Sequence, residues 1–472
     1  MEQFKPLRKK HVGVYVCGPT VYDWAHLGHA RTYIAFDVII RWLDFKGYSV
    51  FYVQNITDVG HLTPNTAEDK IVKRAKEERI EPMQLVEFFM REYLRDLDSL
   101  GVKRPDISPR ATGHLIEMIE AIQTLIEKGY AYEVNGNVFF DVVKLDDYGK
   151  LSKIKLDEML EGSRFEVHPD KRNPRDFALW KRAEEDTVLK WWSPWGTGFP
   201  GWHIECAIMG LKYLGNQFDI HGGARDLIFP HHENEIAQSE SLTGKKPFVK
   251  YWLHTGFLSI NGEKMSKSLG NYITVREALK KNDAEAIRLF VLSTHYRSEI
   301  DFTDNKLRGA EASLKRLYTT LESLEDAMKT SVQRALNEVE QKLDEDVGNL
   351  RGKFIEAMDE DFNTPKALAA LFEMSKEINR FLDEQKQASI NILENVHNCF
   401  SELGKALGLF QKEKTKQIGE KIVDELVQLL FDVREELRKK GEYGFSDEIR
   451  ARMKELGLVI EDTAEGPKWK LP

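Results

Sequence analysis

Between His11 and Cys17 the apolar residues Val12, Val14 and Val16 fall on alternate positions, the period of a β-strand. Gly18-Pro19 breaks that run. From Gly28 to Lys46 the period changes, and Ile34, Val38, Trp42 and Phe45 recur at helical spacing. Tyr48 to Val53 is again β-rich. Strand, helix and strand of these lengths make a βαβ unit with parallel strands and a right-handed crossover. A doubly wound α/β domain is the expected frame. Residues near 115 to 190 depart from this alternation. They hold a short helix, the strand-like Asn137–Val143 and a polar run rich in Lys, Asp and Pro, and read as an insertion. Sheet character returns at Gln217–His221, just before Gly222-Gly223.

Beyond about 305 the pattern is helical almost throughout. Glu311–Met328, Val339–Asp359, Thr364–Glu384 and Ile418–Lys440 combine helical periodicity with many charges, which predicts a helical bundle. Leu458-Val459-Ile460, a turn near Glu465-Gly466 and Lys468-Trp469-Lys470 read as a hairpin capping a small terminal domain. The expected division is 1–115 and 191–260 for the two halves of a Rossmann-type catalytic domain, with a connective insertion at 116–190 between them. A loop and linking helical region occupies 261–310, a helical bundle 311–415 and a small mixed α/β domain 416–472. No long repeat interrupts this plan.

Composition narrows the class. Of 472 residues, 42% are hydrophobic and 31% charged, which fits a globular fold and not a disordered chain. No apolar run approaches the ~20 residues of a membrane helix. Met1–Lys10 is polar and lacks the apolar core of a signal peptide. Cys17, Cys206 and Cys399 are too few and too scattered for a disulfide scaffold and fit a reducing cytoplasm. The net charge of −9 argues against a general nucleic-acid binder, so an RNA partner would have to meet a local basic face.

Candidate chemistry begins at His26 and His29, which follow the first strand and its Gly-Pro loop and open the helix. A helix N-terminus carries partial positive charge and free N–H groups, so it suits phosphate. Gly28 would let a base or ribose approach the backbone, and the two histidines can donate to phosphoryl oxygens as charge develops. Alone, the string also fits a polar helix start with solvated histidines. Lys264-Met265-Ser266-Lys267-Ser268 follows Asn261-Gly262, a turn signal. Two lysines three apart can clamp a triphosphate as compact point charges, although an exposed basic loop fits equally. In this order and far apart in the chain, the two strings together are much more specific. Each half of a split α/β domain would supply one part of an adenylating site.

The pair resembles the two signature motifs of class I aminoacyl-tRNA synthetases. Within that class the flanking residues are similar to those of cysteinyl-tRNA synthetases. They are Tyr15-Val16-Cys17-Gly18-Pro19-Thr20-Val21-Tyr22-Asp23, Pro200-Gly201-Trp202-His203-Ile204-Glu205-Cys206, and Phe218-Asp219-Ile220-His221-Gly222-Gly223 leading to His231-His232-Glu233-Asn234-Glu235. The likeness is strong over residues 11 to 300 and weaker through the helical part to Lys470. It implies an α/β class I Rossmann-type catalytic domain with an insertion. A C-terminal α-helical bundle on the tRNA side and a small mixed α/β anticodon-recognition domain would follow. The implied substrates are L-cysteine, ATP with Mg²⁺, and tRNA(Cys). The implied catalytic residues are His26, His29, Lys264 and Lys267. The implied ATP contacts are Gly28, Gly222, Gly223, Asp226 and Lys267, and Thr57, Trp202 and His221 would shape the amino-acid pocket. A cytoplasmic monomer is expected.

Cys17 ends the first strand, Cys206 follows Trp202-His203-Ile204-Glu205, and His231 and Glu235 are four apart after Pro230, a favoured first helical position. Spacing of i, i+4 places both on one helical face. Two thiolates, an imidazole and a carboxylate are a credible zinc set. A lone cysteine also fits as a small buried hydrophobe, and His-His-Glu-Asn-Glu as a solvated helix face. The resemblance implies Cys17, Cys206, His231 and Glu235 as ligands of one Zn²⁺. Zinc prefers a soft thiolate to a neutral alcohol. Binding the substrate sulfur would select cysteine over serine, which shape alone separates weakly. The insertion is too short for a hydrolytic editing domain, which agrees. Cys399 reads as a core residue of the bundle.

Two features depart from the family pattern. Relatives carry two acidic residues and Lys soon after Asn-Ile-Thr-Asp, whereas Asn55-Ile56-Thr57-Asp58 here runs into Val59-Gly60-His61-Leu62 and Asp69-Lys70 comes later. The first strand also starts close to the N-terminus. Two rival readings stand beside the first: a zinc-dependent cysteine ligase acting on an amino-sugar acceptor, and a noncatalytic zinc-stabilised RNA-binding protein. The long helical tail favours tRNA over the sugar. The intact His26, His29, Lys264 and Lys267 disfavour a pure binder, which needs no phosphate clamp.

Overall fold

The computed structural model describes residues 2–60, 69–154, 168–266, 269–385 and 387–411, and most of 426–470. The chain opens with strand β1 (His11–Val16), helix α1 (Leu27–Phe45) and strand β2 (Ser49–Gln54). Helices α2 (Lys70–Glu78), α3 (Pro82–Ser99) and α4 (Leu115–Glu127) follow. Short strands β3 (Ala131–Val134), β4 (Asn137–Phe140), β5 (Phe177–Arg182) and β6 (Gly198–Pro200) lead to helix α5 (Trp202–Leu214). Strand β7 (Phe218–Ala224), helix α6 (Glu233–Thr243) and strand β8 (Val249–Thr255) complete the α/β part.

The predicted βαβ unit forms: β1 and β2 are parallel, from His11 opposite Ser49 to Val16 opposite Gln54. On its other edge β1 pairs with β7, also parallel, with Val16 opposite Gly222. The full order is β2–β1–β7–β8. Sequential strands lie on opposite sides of β1, so the sheet has a topological switch point there, where a crevice opens beyond the strand ends. Both β1 and β7 are buried nearly end to end, as a parallel sheet covered on two faces requires. Gly222 is forced by this packing, since a Cβ there would lie 2.1 Å from the Phe36 ring on α1.

The inserted segment builds a separate antiparallel sheet, β3–β4–β5–β6. The strand expected over Asn137–Val143 stops at Phe140: Asp141 N–H still donates across to Tyr130 O, but Val142 N–H donates to the Asp176 carboxylate and a short helical turn begins. The last strand, β6, leads straight into α5.

Strands β9 (Leu258–Ile260) and β10 (Glu263–Lys264) form a hairpin, followed by α7 (Val275–Lys281), α8 (Ala284–Leu292) and β11 (Ile300–Phe302), which pairs with β9. The bundle consists of α9 (Asp304–Lys329), α10 (Glu338–Asp359), α11 (Thr364–Glu384) and α12 (Ile390–Ala406). Helix α9 buries Leu307, Leu314, Leu317, Leu321 and Leu324, the stripe its sequence period sets. Cys399 is buried within α12. Residues 1–409 form one compact unit and 410–472 a second. The second contains a helix at Tyr443–Glu455 and the expected hairpin, with Val459 opposite Lys470 and Thr463 opposite Gly466. The start of the Ile418–Lys440 helix and the turn residue Glu465 lie outside the described residues. Among the described residues no helix is long and apolar enough to cross a membrane.

Two buried arginines lock α1 to α8. Arg31 donates to the carbonyls of Val291, His295, Tyr296 and Ser298, at and just beyond the C-terminal end of α8. Arg288, fully buried, donates to Asp37 on α1 and to the carbonyls of Leu100 and Leu407. Asp37 also accepts from Arg41 and from Lys103 N–H. Burial alone would raise the Asp37 carboxyl pKa, but Arg288 and Arg41 outweigh it and hold the group below the usual carboxylate range. Breaking a buried pair leaves a buried charge uncompensated, at a cost of about 3–5 kcal/mol. Asp37→Asn should therefore lower the unfolding free energy at pH 7 by about that amount in denaturant titrations. The folded pKa is depressed, so this contribution is present above the ordinary carboxylate pKa and lost as pH falls through the folded value. The gap between parent and variant should shrink in acid.

Candidate active site

The first signature string begins α1 with an unusual cap. His26 is the N-cap residue in extended backbone, and its Nδ1 accepts from Gly28 N–H at 3.0 Å and His29 N–H at 3.3 Å. His29 Nδ1 accepts in return from His26 N–H, which closes a capping box with two imidazoles. The rings stack at 3.8 Å. With both Nδ1 atoms accepting, the neutral rings carry their protons on Nε2 as donors. Burial, reinforced by His26, holds the His29 pKa well below that of a free histidine, so this ring is neutral at pH 7. Gly28 has a local reason to be glycine, since a Cβ would sit 2.8 Å from His26 Cε1 and displace the cap.

The second string is anchored beside the first. Asn261 and Gly262 both have positive φ, as a tight two-residue hairpin turn requires, and the turn delivers Lys264 at an exposed strand end. Asn271 staples the loop: its side chain accepts from Ser266 N–H and donates to Lys264 O. The arm that follows runs back along the first string. Leu27 N–H donates to Ile273 O, Val275 N–H donates to Ala25 O, and His26 bridges Thr274. Tyr272 packs edge-on against His26. Lys267 and Ser268 lie outside the described residues.

Cys17 leaves β1 where β1 and β7 diverge, its N–H donating to Gly222 O at 3.0 Å. Its Sγ lies 4.0 Å from Cys206 Sγ on α5 and 3.9 Å from Glu235 Oε1 on α6. His231 Nε2 is 3.0 Å from the same oxygen. One ligand atom from each of Cys17, Cys206, His231 and Glu235 falls within 4.8 Å of all the others, and all four residues are buried. Phe229 is extended, and the helical turn that begins after it runs straight into α6, so His231 and Glu235 stand four apart on one face. Burial, then Cys206 and Glu235, pushes the Cys17 thiol well above its ordinary pKa. Two thiols and an imidazole converge on a buried carboxylate, a donor set that zinc accepts.

The pocket residues meet this cluster in different ways. Trp202 is partly exposed and packs 4.3 Å from the His231 ring. His221 is fully buried, with Nε2 at 2.7 Å from Glu235 Oε2, and so orients the carboxylate. Thr57 is buried, and its hydroxyl donates to Glu205 on the turn of α5 that carries Cys206. Gly222 faces Phe36, whereas a Cβ on Gly223 would press on Leu227 and His232. Asp226 is exposed in the turn after β7. Asp69 caps α2, and Lys70 lies over the Tyr22 ring.

Sequence reasoning left several neighbours without a role. His232 Nε2 lies 3.3 Å from Cys17 Sγ, its Nδ1 lies 2.8 Å from His254, and His203 meets His231 at 2.9 Å. His232 was visible inside its motif, but the isolated His254 had no spacing to mark it. Tyr33 joins the two centres: it donates to Cys17 O at 3.1 Å and stacks on His29.

Residues 3–312 match the family described as tRNA synthetases class I (C) catalytic domain, and residues 353–411 match the DALR domain. The chain is 52% identical to the cysteine--tRNA ligase of Thermococcus gammatolerans, covering 99% of this chain and 96% of that protein. It is 47% identical to the cysteine--tRNA ligase of Thermodesulfovibrio yellowstonii, over 100% and 97%. Its fold resembles a Mycobacterium tuberculosis methionyl-tRNA synthetase bound by methionyl-adenylate, at 16% identity and a TM-score of 0.63, covering 84% of this chain and 91% of that one. The split signature strings, the thiol-rich cluster between them and these matches agree: the chain belongs to the cysteine--tRNA ligase family of class I tRNA synthetases.

Proposed function

We propose that this enzyme activates L-cysteine with ATP and transfers it to the 3′ end of tRNA(Cys). One observation carries the reading most directly. A buried Cys17, Cys206, His231 and Glu235 cluster ends the same strand whose next helix opens with His26 and His29. Zinc bound by those four residues would take the substrate sulfur as a thiolate and so prefer cysteine to serine. Trp202 forms one wall of the amino-acid pocket, while Thr57 and His221 hold Glu205 and Glu235 in place. The cysteine carboxylate oxygen then attacks the α-phosphorus of ATP, and pyrophosphate leaves. The His26 and His29 Nε2–H groups donate to the α-phosphoryl oxygens, and Lys264 and Lys267 hold the departing pyrophosphate, with Mg²⁺ accompanying ATP. This is catalysis by position and charge, with no protein nucleophile.

Gly28, Gly222, Gly223 and Asp226 lie along the adenosine side in this reading. The terminal 2′-hydroxyl of the tRNA attacks the adenylate carbonyl and releases AMP. Residues 311–415 and 416–472 face the tRNA, and the enzyme acts as a cytoplasmic monomer.

ATP–pyrophosphate exchange tests the core of this proposal. The chain should catalyse exchange with cysteine and not serine, and should charge tRNA(Cys) but not an amino-sugar. Exchange without any tRNA charging would redirect the reading to another acceptor, and no exchange would end it. Lys267→Ala should slow exchange about 10²- to 10³-fold, the range for removing a transition-state donor, while cysteine binding measured by calorimetry stays near parental. Undiminished exchange would remove Lys267 from the machinery. Cys206→Ser should lose both bound zinc and discrimination against serine. A full equivalent of zinc by elemental analysis would refute its place in the ligand set.

A further inference from the structure

Arg276, in the first turn of α7, lies just beyond the arm that follows the Lys264 loop. Its side chain makes three contacts, one with the segment before α1 and two with α3. The guanidinium carbon sits 4.1 Å from the ring centre of Trp24, in cation–π geometry. Nε donates to Asp96 at 2.7 Å, and Nη2 pairs with Glu92. Glu92 and Asp96 are both buried, one turn apart on α3. Trp24 comes two residues before His26, and its other edges are fixed by Phe88 and Phe89 of α3. Asp96 and Glu92 receive a planar fork, and the flat side of that fork covers an indole. Lysine, a point charge, cannot do both.

We propose that Arg276 is a positioning residue for adenylate formation, the clasp that sets the Lys264–Ser268 loop against the His26–His29 turn. This rests on the function proposed above. The loop has two ends. Its entry is the β9–β10 hairpin, and its exit is the arm zipped to residues 25–27 through Ile273, Thr274 and Val275. Arg276 follows that zipper directly and ties it to the residue leading into the first signature string. Trp24 and Arg276 thus hold the approach to His26 and the return from the lysines in one contact. α3 supplies the rigid wall behind both. Among the described residues the contacts of Arg276 are with Trp24, Glu92 and Asp96, away from the Cys17 cluster, so its loss should misplace Lys264 without disturbing cysteine.

The test uses full-length Arg276→Ala, Arg276→Lys and Trp24→Leu, compared with the parent by cysteine-dependent ATP–pyrophosphate exchange. A misplacement of about 1 Å costs up to about 100-fold in rate. The expected result is a kcat about 10- to 100-fold lower in Arg276→Ala, with the KM for cysteine within about twofold of the parent. Arg276→Lys should recover part of the loss, because it keeps the charge against Asp96 but not the stack. Trp24→Leu should fall between. Rates are expressed per folded molecule, from circular dichroism at the assay temperature. A kcat within about twofold of the parent in Arg276→Ala, or a cysteine KM that rises as far as kcat falls, would overturn the proposal. A parent with no exchange would defeat the proposed function instead. The clasp is then read by trypsin cleavage after Lys264, expected to be at least about tenfold faster in Arg276→Ala because local opening governs such cleavage. Equal cleavage would overturn it.

Discussion

The last rung between β1 and β7, Cys17 N–H donating to Gly222 O, is the constraint on which the site depends. Past it the two strands diverge and the chain must leave the sheet. The backbone turns out through Gly18-Pro19, and the helix that returns opens on His26. A thiol at the end of β1 therefore points into the same crevice that the α1 N-terminus lines. Gly222 makes the rung possible by letting Phe36 of α1 press on the strand. Tyr33 then bonds the Cys17 carbonyl while stacking on His29. The Cys17 cluster and the His26–His29 turn are two ends of one packed unit, so a displacement of α1 would disturb both.

Charge is buried in two ways here, and the difference separates scaffold from site. Arg31 and Arg288 lie in the core, and their terminal nitrogens end on carbonyls or on Asp37, which compensates each charge locally. Such arrangements fix geometry more than they add stability. The Cys17 cluster is the reverse. It gathers thiols, imidazoles and a carboxylate, and among the described residues no lysine or arginine belongs to it. His232 is held well below its ordinary pKa by burial and by its neighbours His221 and His254, so it stays neutral and supplies no cation either. Four side chains with metal-ligating atoms from three separate elements thus meet at one buried point, which packing alone does not require.

Much of this was readable in the chain because it depends on local period. The β1–α1–β2 unit, the bundle helices and the terminal hairpin follow from patterns within each element. The paired signature strings stood out by residue type and order, and the four candidate ligands through the resemblance that the flanking motifs carry. What stayed hidden depends on contacts between distant segments. The strand order, with β7 beside β1, has no local signal. Glu205 gains its meaning from Thr57, and His254 from His232. Gly28 was legible as a permissive position, but its constraint comes from the His26 ring folding back as a cap. Arg276 reads in sequence as one more surface charge on a short helix, and only folding places Trp24 beneath it.

The two centres must nevertheless be brought into register, and the chain does this with backbone more than with side chains. A side-chain bridge between residues so distant in sequence would cost rotamer entropy for each contact. The arm after the lysine loop instead forms backbone hydrogen bonds to residues 25–27, and Asn271 and the Thr274–Glu277 capping box fix its two ends. Backbone hydrogen bonds of this kind set register in steps of a whole residue, as between strands. Lys264 is thus placed relative to His26 by a zipper whose alternatives are a full residue away. With the hairpin on one side and the zipper on the other, the distance of Lys264 from the His26–His29 turn stays bounded, which is what the proposed site, working by position, requires.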